Sequence, residues 1–467
     1  MSQLNNTDAP QTAGDVKINE IIIIDRNGVE TDIQALMIEL NVFEDIFSST
    51  MYGNILVSDG LNLIERLPII GEEYIRIDIQ TPGFEDDEKI QKSFRVYSIS
   101  NRIIVKDDRT QQYIINFVSN EAFIDTLTPI SKTFSGKANE VVERIFIDYL
   151  QIPRNMYGSE DGGEPTASED TTTLFVMDET KNNITFTSPR WTPFKCINWI
   201  CSKSLPATSN GCNILFFETN KYFVFGSVEQ LIERQVANGL ISEHYIHAPN
   251  NIRGDRQRDR GFNYKKQNLS KEYRIVESFT IENNFDVLQN LQNGYYASKL
   301  YKFDVINKDY QWFDFDYVNE FYEYAHLETT NNGSGGAFFT NQTARTPDSK
   351  IIFYPSHPEL YSGITNNAND IIETTMQNRI SLLNDLNNYK IHVVVPGRTD
   401  IEVGNVVRFD FPAINEKSIA TTSDEAVDKY LGGLYLITAI RHKITYGKHV
   451  MLMELIKDST KTSFESQ

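Results

Sequence analysis

The stretch from Ile391 to Ile456 constrains this chain most. It opens with Ile391-His392-Val393-Val394-Val395-Pro396-Gly397 and runs on to Val406-Val407-Arg408-Phe409-Asp410-Phe411. After a polar insertion it resumes at Gly432-Gly433-Leu434-Tyr435-Leu436-Ile437-Thr438, and it closes with His449-Val450-Met451-Leu452-Met453-Glu454-Leu455-Ile456. Short runs rich in Val, Ile, Phe and Tyr, punctuated by Gly and Pro, are the pattern of antiparallel strands and turns. Val407, Phe409 and Phe411 share one face, and Val406, Arg408 and Asp410 share the other. An apolar strand face needs a partner layer or a barrel interior to bury it. Four such strands in about 65 residues predict a small barrel that closes its own edges.

The N-terminal end reads in a similar style. Residues 1–16 are polar and predict a disordered arm. Ile18–Asp25 is followed by Arg26-Asn27-Gly28, a hairpin signal, because Asn-Gly accepts positive φ. Met37–Phe43, Met51–Ser58, Tyr74–Gln80, Phe94–Val105 and Gln112–Ser119 continue the strand pattern, with helical turns over Gly60–Leu67. The period then changes. Val141, Val142, Ile145, Phe146, Tyr149 and Leu150 recur at helical spacing, predicting a helix over Ala138–Leu150. Residues 157–172 form a solvated loop, and Pro193–Lys203 reads as helix. Asn213–Phe217 and Tyr222–Phe225 read as a hairpin. Thr280–Leu288 is half extended and half helical, while Gly294–Val305 and Gln311–Tyr317 are strands. A helix over 370–388 has Asn369 or Asp370 available as N-cap.

The fold class expected is therefore mainly β with an α+β middle region: two small antiparallel β-barrel domains plus an inserted mixed α/β domain. The barrels span 17–125 and 281–457, and the mixed region spans 126–280 with a compact unit at 184–231. The second barrel carries insertions at 329–350 and 412–430, and 458–467 is a tail. No sequence repeat connects the two ends.

Composition limits the partners. The formal net charge of −20 disfavours a grip on DNA or on anionic membranes. No apolar run approaches the roughly 18 residues of a membrane helix, and the first residues carry no signal-peptide pattern. Cys196, Cys201 and Cys212, an odd number near apolar residues, read as buried thiols. The one basic stretch, Asn251–Arg274, has eight Lys or Arg against three acidic residues and reads as a contact to an acidic neighbour or a solvated loop.

Each candidate site has a plainer reading beside it. His244 and His247 have helical metal-ligand spacing but no third ligand nearby, so no metal site is expected. Arg253-Gly254-Asp255 matches an adhesion tripeptide by chance composition. Glu218, Asp314 and Asp316 lie among aromatics, as a glycosidase pair would. Nucleophile-elbow, zincin, phosphate-loop and CxxC patterns are all missing from the sequence. No catalytic residue and no cofactor is expected.

Four stretches resemble the baseplate hub subunits of contractile-tailed, T-even-like phages, a family related in fold to Mu- and P2-like tail hub proteins and to the N-terminal part of type VI secretion spike proteins. The first is Leu40-Asn41-Val42-Phe43-Glu44-Asp45-Ile46-Phe47 through Gly53-Asn54-Ile55-Leu56-Val57-Ser58-Asp59 to Leu67-Pro68-Ile69-Ile70-Gly71-Glu72-Glu73. The second is Ile184-Thr185-Phe186, Trp191-Thr192-Pro193-Phe194 and Asn198-Trp199-Ile200-Cys201, with Phe216-Phe217-Glu218-Thr219 after it. The third is Gly294-Tyr295-Tyr296-Ala297-Ser298-Lys299-Leu300 with Asp304. The fourth is Pro396-Gly397-Arg398-Thr399-Asp400-Ile401-Glu402-Val403-Gly404 with Gly432-Gly433-Leu434-Tyr435-Leu436-Ile437-Thr438.

The resemblance implies a non-enzymatic structural virion protein: a homotrimer whose two tube domains per subunit adapt a sixfold tail tube to a threefold spike around a genome channel. It implies a place in the tail baseplate, with assembly in the host cytoplasm. The implied partners are further copies of the chain, the spike protein, a tube initiator or tube protein, wedge proteins and the tape measure protein. DNA would pass without specific binding, and no membrane insertion is implied. The rival readings are a tail-associated cell-wall hydrolase, a receptor-binding tail module and the hub of a non-viral contractile injection system. On the hub reading, the insertion 412–430 becomes an arm placed to touch a neighbour.

Overall fold

The computed structural model describes residues 10, 12–66, 69–83, 88–105, 110–150, 173–236, 238–247, 272–283, 286–328, 347–356, 367, 371–387, 389–411, 428 and 431–460. The loop 157–172, Arg253-Gly254-Asp255 with most of the basic stretch, residues 331–342 and nearly all of the insertion 412–430 lie outside the described residues.

The N-terminal unit contains β1 (Lys17–Ile24), β2 (Glu30–Asp32), β3 (Met37–Asp45), β4 (Tyr52–Asp59), β5 (Tyr74–Gln80), β6 (Ile90–Val105) and β7 (Thr110–Ser119). The middle region contains β8 (Thr133–Lys137), β9 (Thr173–Val176), β10 (Asn183–Thr187), β11 (Ile214–Glu218) and β12 (Tyr222–Ser227). The remainder contains β13 (Glu243–His247), β14 (Ile275–Val276), β15 (Ser278–Asn283), β16 (Ala297–Asp304), β17 (Asp309–Asp316), β18 (Ile351–Pro355), β19 (Tyr389–Pro396), β20 (Val406–Asp410), β21 (Gly433–Thr445) and β22 (Lys448–Lys457). The chain is mainly β with a mixed α/β middle, as its strand periodicity predicts.

Alternation decides what each strand buries. In β7, Tyr113, Ile115 and Phe117 point inward, and in β22, Met451, Met453 and Leu455 do. The first core joins Ile21, Leu40, Val42, Ile55, Ile77, Phe94 and Phe117. The second joins Ile391, Val393, Val395, Phe409, Tyr435 and Met453. The middle region packs the Ala138–Tyr149 and Pro193–Cys201 helices on β9, β11 and β12 through Phe146, Phe194, Phe216 and Phe223. The expected stripe of Val141, Val142, Ile145 and Phe146 is buried there.

The self-closing barrels are corrected. The N-terminal sheet runs in the order β3-β4-β7-β6-β5-β1, and its β3 edge pairs with β21 of the C-terminal unit. At thirteen residues, β21 is long enough to serve two neighbours. Its first part pairs with β20 (Val406↔Leu436 to Phe409↔Gly433), and its last part pairs with β3 (Ala439↔Asp45 to Thr445↔Glu39). A bulge between Ile437 and Ala439 separates the two stretches, and a bulge bends a strand and sharpens its twist. Neither unit forms a closed barrel among the described residues; the two share one sheet. Ile444 of β21 lies in the first core, and Ile46, just past β3, lies in the second.

Three smaller expectations change as well. The arm over 1–16 is docked at its inner end, where the Gly14 carbonyl accepts from the His449 amide at 2.7 Å and Asp15 bridges Lys448. Gly14 has φ +85°, and a Cβ there would crowd the His449 carbonyl. The helix expected over 370–388 runs from Ile372 to Asp385 with Ile371 at its cap, and Asn369 and Asp370 lie outside the described residues. The boundary expected at 280–281 falls inside β15.

The strand pairings also reveal a repeat. β3, β4, β5, β6 and β7 correspond to β15, β19, β20, β21 and β22, in the same chain order and with the same antiparallel neighbours. Both long strands bulge at the same step, between Val96 and Ser98 in β6 and between Ile437 and Ala439 in β21. The register then aligns Ile75-Arg76-Ile77-Asp78 with Val407-Arg408-Phe409-Asp410. Reading along the chain hides this repeat, because six residues join β3 to β4 whereas residues 284–388 separate β15 from β19.

Gly53 lies in β4 where a Cβ would run into the Asn41 carbonyl and the Phe117 ring. Gly53→Ala should therefore lower the unfolding free energy by about 1–3 kcal/mol, read as a reduced urea midpoint. Gly60→Ala, whose Cβ among the described residues meets only the Thr110 hydroxyl at 4.0 Å, should leave that midpoint nearly unchanged.

Candidate functional site: buried joints and open surfaces

The buried polar contacts of this fold join its parts. Glu218, at the end of β11, is buried at 1% exposure and ion-paired with Lys92 of β6. Its carboxylate accepts from the Ser119 hydroxyl at 2.5 Å and from the Met51 amide at 2.7 Å. Burial pushes the carboxyl upward, and the Lys92 ammonium opposes that shift. Lys92 also donates to the Thr219 carbonyl at 3.3 Å, and Asn220 donates to the Lys89 carbonyl at 2.9 Å. This hairpin tip pins the middle region to the N-terminal sheet. A second joint has the Thr399 amide donating to the Thr81 hydroxyl at 3.0 Å and the Thr81 amide donating to the Thr399 hydroxyl at 3.2 Å.

The three carboxylates read as a possible glycosidase set are committed to separate tasks. Asp314 is an exposed residue of β17, 3.6 Å from Lys299. Asp316 caps the turn after β17, accepting from the Val318 amide at 3.1 Å and the Asn319 amide at 3.3 Å. His244 and His247 lie on the strand β13 rather than on a helix. His244 bonds Asp410 of β20 at 2.5 Å. Cys196, Cys201 and Cys212 are free and buried, and burial pushes the Cys201 and Cys212 thiols up to about 12. The Arg379 guanidinium bonds the Cys212 carbonyl at 2.8 Å and the Ile214 carbonyl at 2.9 Å, tying the Ile372–Asp385 helix to β11.

One buried cluster escapes sequence reasoning because its members come from three distant segments. The His326 ring meets Asp458 at 2.9 Å through Nδ1 and the Phe321 carbonyl at 2.8 Å through Nε2. Asp385 accepts from the Tyr295 hydroxyl at 2.6 Å and the Tyr317 hydroxyl at 2.9 Å. His326, Asp385 and Asp458 converge closely enough to hold a metal ion. Both ring nitrogens and both Asp385 oxygens already have protein partners, so the donor set fits an internal ion pair instead. Burial lowers the His326 value, but the Asp458 carboxylate outweighs it and brings the ring to about 9. Burial, then the Asp458 charge, raises Asp385 to about 7.

The sheet β17-β16-β18 leaves one face open. Tyr310, Trp312, Phe353 and Ile351 are exposed, and Tyr301 stacks on Phe353 with centroids 5.3 Å apart. Register puts Trp312 and Phe353 on either side of Tyr301. The opposite face packs toward the Ile372–Asp385 helix, with Tyr317 and Leu382 in the core between them. A cavity of about 350 Å³ lies between β12, the Val228–Val236 helix and the β19–β20 loop, lined in part by Phe175, Lys221, Tyr222, Arg234 and Glu402. Lys221 spans it to Glu402 at 3.7 Å, and Arg234 lies over the Phe175 ring at 5.1 Å.

No family model matches the chain. The chain is 19% identical over 432 residues to the probable baseplate hub protein gp334 of Vibrio phage KVP40, covering 90% of this chain and 89% of that one. Among solved structures it is similar to the tail protein of Neisseria meningitidis MC58, at 10% identity and a TM-score of 0.49, covering 94% of this chain and 96% of that chain. The 43 kDa tail protein of prophage MuSo2 from Shewanella oneidensis matches at 10% identity and a TM-score of 0.47, covering 94% and 99%. The E. coli c3393 protein, a type VI secretion component, matches at 8% identity and a TM-score of 0.39, covering 97% and 79%. The resemblance seen in the four sequence stretches and this likeness to a probable baseplate hub protein point the same way.

Two outcomes follow from the buried charges. Lys92→Met leaves Glu218 buried without its counter-charge and should cost about 3–5 kcal/mol in urea unfolding, most of it recovered by adding Glu218→Gln. The second concerns pH. His326 has a folded value above its ordinary one, so its contribution is complete below pH 6.5 and is lost as pH rises through about 9. Asp385, raised to about 7, adds a loss of the same sign as pH rises from its ordinary range through that value. Thermal midpoints should fall between pH 6 and pH 10, and Asp458→Asn should flatten the upper part of that decline.

Proposed function

We propose that this chain is a structural, non-enzymatic subunit of a phage tail baseplate: a central hub that forms a homotrimer. The observation that carries the reading is the edge-to-edge fusion of two matching β units through β3 and β21. Three chains built this way supply six similar units, which is what an adaptor between a sixfold tube and a threefold spike requires. The likeness of nine-tenths of the chain to a probable baseplate hub protein supports the same role. On this reading the N-terminal unit over 17–125 and the C-terminal unit over 281–457, extended back to β15, are the tube domains, and the mixed region between them braces each subunit.

The spike, a tube or tube-initiator protein, the wedge proteins and the tape measure protein are the partners of such a hub. The protein belongs to the virion tail and assembles in the host cytoplasm. The genome passes through the ring without specific binding, and a chain of net charge −20 suits that passage, because each cation near phosphate adds counterion-release affinity. In sedimentation the purified protein should run at three times 53.6 kDa, alone or once its tube and spike partners are added. A species that stays monomeric in every mixture, and binds neither partner, overturns the reading.

A further inference from the structure

We infer that the distal part of β6 in one copy pairs antiparallel with the free edge of β15 in the next, repeating between chains the β21–β3 junction found within each chain. The inference rests on the hub reading and deepens it by naming the surface that joins the subunits. The internal repeat makes β6 the counterpart of β21 and β15 the counterpart of β3. Among the described residues, only the β21–β3 pair is joined. The first part of β6 pairs with β5 through Ile90–Arg95, as β21 pairs with β20. Beyond its first bulge β6 has β7 on one side and, among the described residues, no strand on the other; a second bulge, between Ser100 and Ile103, has no match in β21. β15 pairs with β19 and likewise has no described strand along its other side.

Side-chain exposure follows the same correspondence. Counting along the paired hairpins, Lys443, Ile444 and Thr445 of β21 match Ile103, Ile104 and Val105 of β6. Ile444 is fully buried in the core of the other unit, beside Leu40. Its counterpart Ile104 is 62% exposed, and Ile103 is 59% exposed. On the receiving side, Glu39, Leu40 and Asn41 of β3 match Ser278, Phe279 and Thr280 of β15. Ser278 and Thr280 are exposed, and Phe279 already packs against the second core. An exposed apolar edge strand is costly unless something covers it. The occupant that fits here is a second copy, because the chain itself contains the matching edge and demonstrates the joint.

The register follows. Lys443↔Asn41, Ile444↔Leu40 and Thr445↔Glu39 translate to Ile103 opposite Thr280, Ile104 opposite Phe279 and Val105 opposite Ser278. The Ile46 amide donates to the Thr438 carbonyl at 3.0 Å. Counting by twos from that bond makes Asn41 and Lys443 a non-hydrogen-bonded pair, the closer kind in an antiparallel ladder. Ile103 and Thr280 inherit that spacing, which suits a disulfide. The contact is head to tail, so repetition around an axis closes a ring in which within-chain and between-chain joints alternate.

The test mixes an Ile103→Cys chain with a Thr280→Cys chain under mild oxidation. A disulfide-linked dimer from the mixture, none from either chain alone, and linked trimers from the double variant are the expected results. The native cysteines are buried and should stay silent. Ile104→Lys, at an exposed position, should keep the far-UV spectrum and urea midpoint of the parent but reduce the trimer fraction at least tenfold at micromolar concentration. Trimers that persist unchanged in Ile104→Lys, with no linkage in the cysteine mixture, overturn the edge pairing and leave the hub reading standing. A parent chain that never trimerises and binds no tail partner overturns both.

Discussion

The ladder between β3 and the last part of β21 is the constraint on which the rest depends. Its seven paired positions, from Asp45 opposite Ala439 to Glu39 opposite Thr445, join segments about 400 residues apart in the chain. The ladder does more than link backbones. It carries Ile444 into the core of the N-terminal unit, while Ile46 enters the core of the C-terminal unit. Each core is thus completed by a residue of the other, so the two halves cannot separate without opening both. Arg441 strengthens the joint from the outer face, donating to Asn41 at 2.9 Å and to Glu39 at 3.2 Å.

The middle region is held by different physics. Phe217, Tyr222, Val224 and Leu231 share the C-terminal core, but at the N-terminal sheet the middle region is met by buried charge, through Glu218 with Lys92, Ser119 and the Met51 amide. A buried ion pair adds little net stability over an apolar contact, yet it tolerates no misplacement, because an unpaired buried charge is expensive. Such a joint selects one seating of the middle hairpin among the seatings that apolar contact alone would permit. His326 with Asp458 plays the same part at the other end, holding the segment after β22 against the Ile372–Asp385 helix region.

Much of the local structure is legible in the sequence, because alternation and helical periodicity are local signals. The strands β3, β4, β5 and β7, the Ala138–Tyr149 helix and the β11–β12 hairpin all fall where Val, Ile, Phe and Tyr spacing puts them. What the spacing does not carry is which edge meets which. The same alternation in β21 is satisfied by a barrel wall or by a shared sheet, and only the pairing with β3 decides. The buried joints were hidden for a related reason. Lys92 shares its strand face with the buried Ile90 and Phe94, an inward position that an isolated lysine does not explain until Glu218 is brought over it. Glu218 itself was visible as an acid among aromatics, and that signal pointed to chemistry when it marked a joint. His326 and Asp458 are 132 residues apart, and nothing local announces their meeting.

The long excursion between β15 and β19 belongs to one half of the repeat only. Its sheet, with Trp312, Tyr310 and Phe353 uncovered, has no counterpart between β3 and β4, where six residues suffice. In a ring of three such chains the strand framework would therefore look the same every sixty degrees, while this aromatic face would recur only every hundred and twenty. A binding partner that reads the framework would be recruited in sixes, and one that reads the aromatic face in threes. Lopsided decoration of an otherwise duplicated frame would thus let a single gene product, assembled in that ring, present two different stoichiometries to its surroundings.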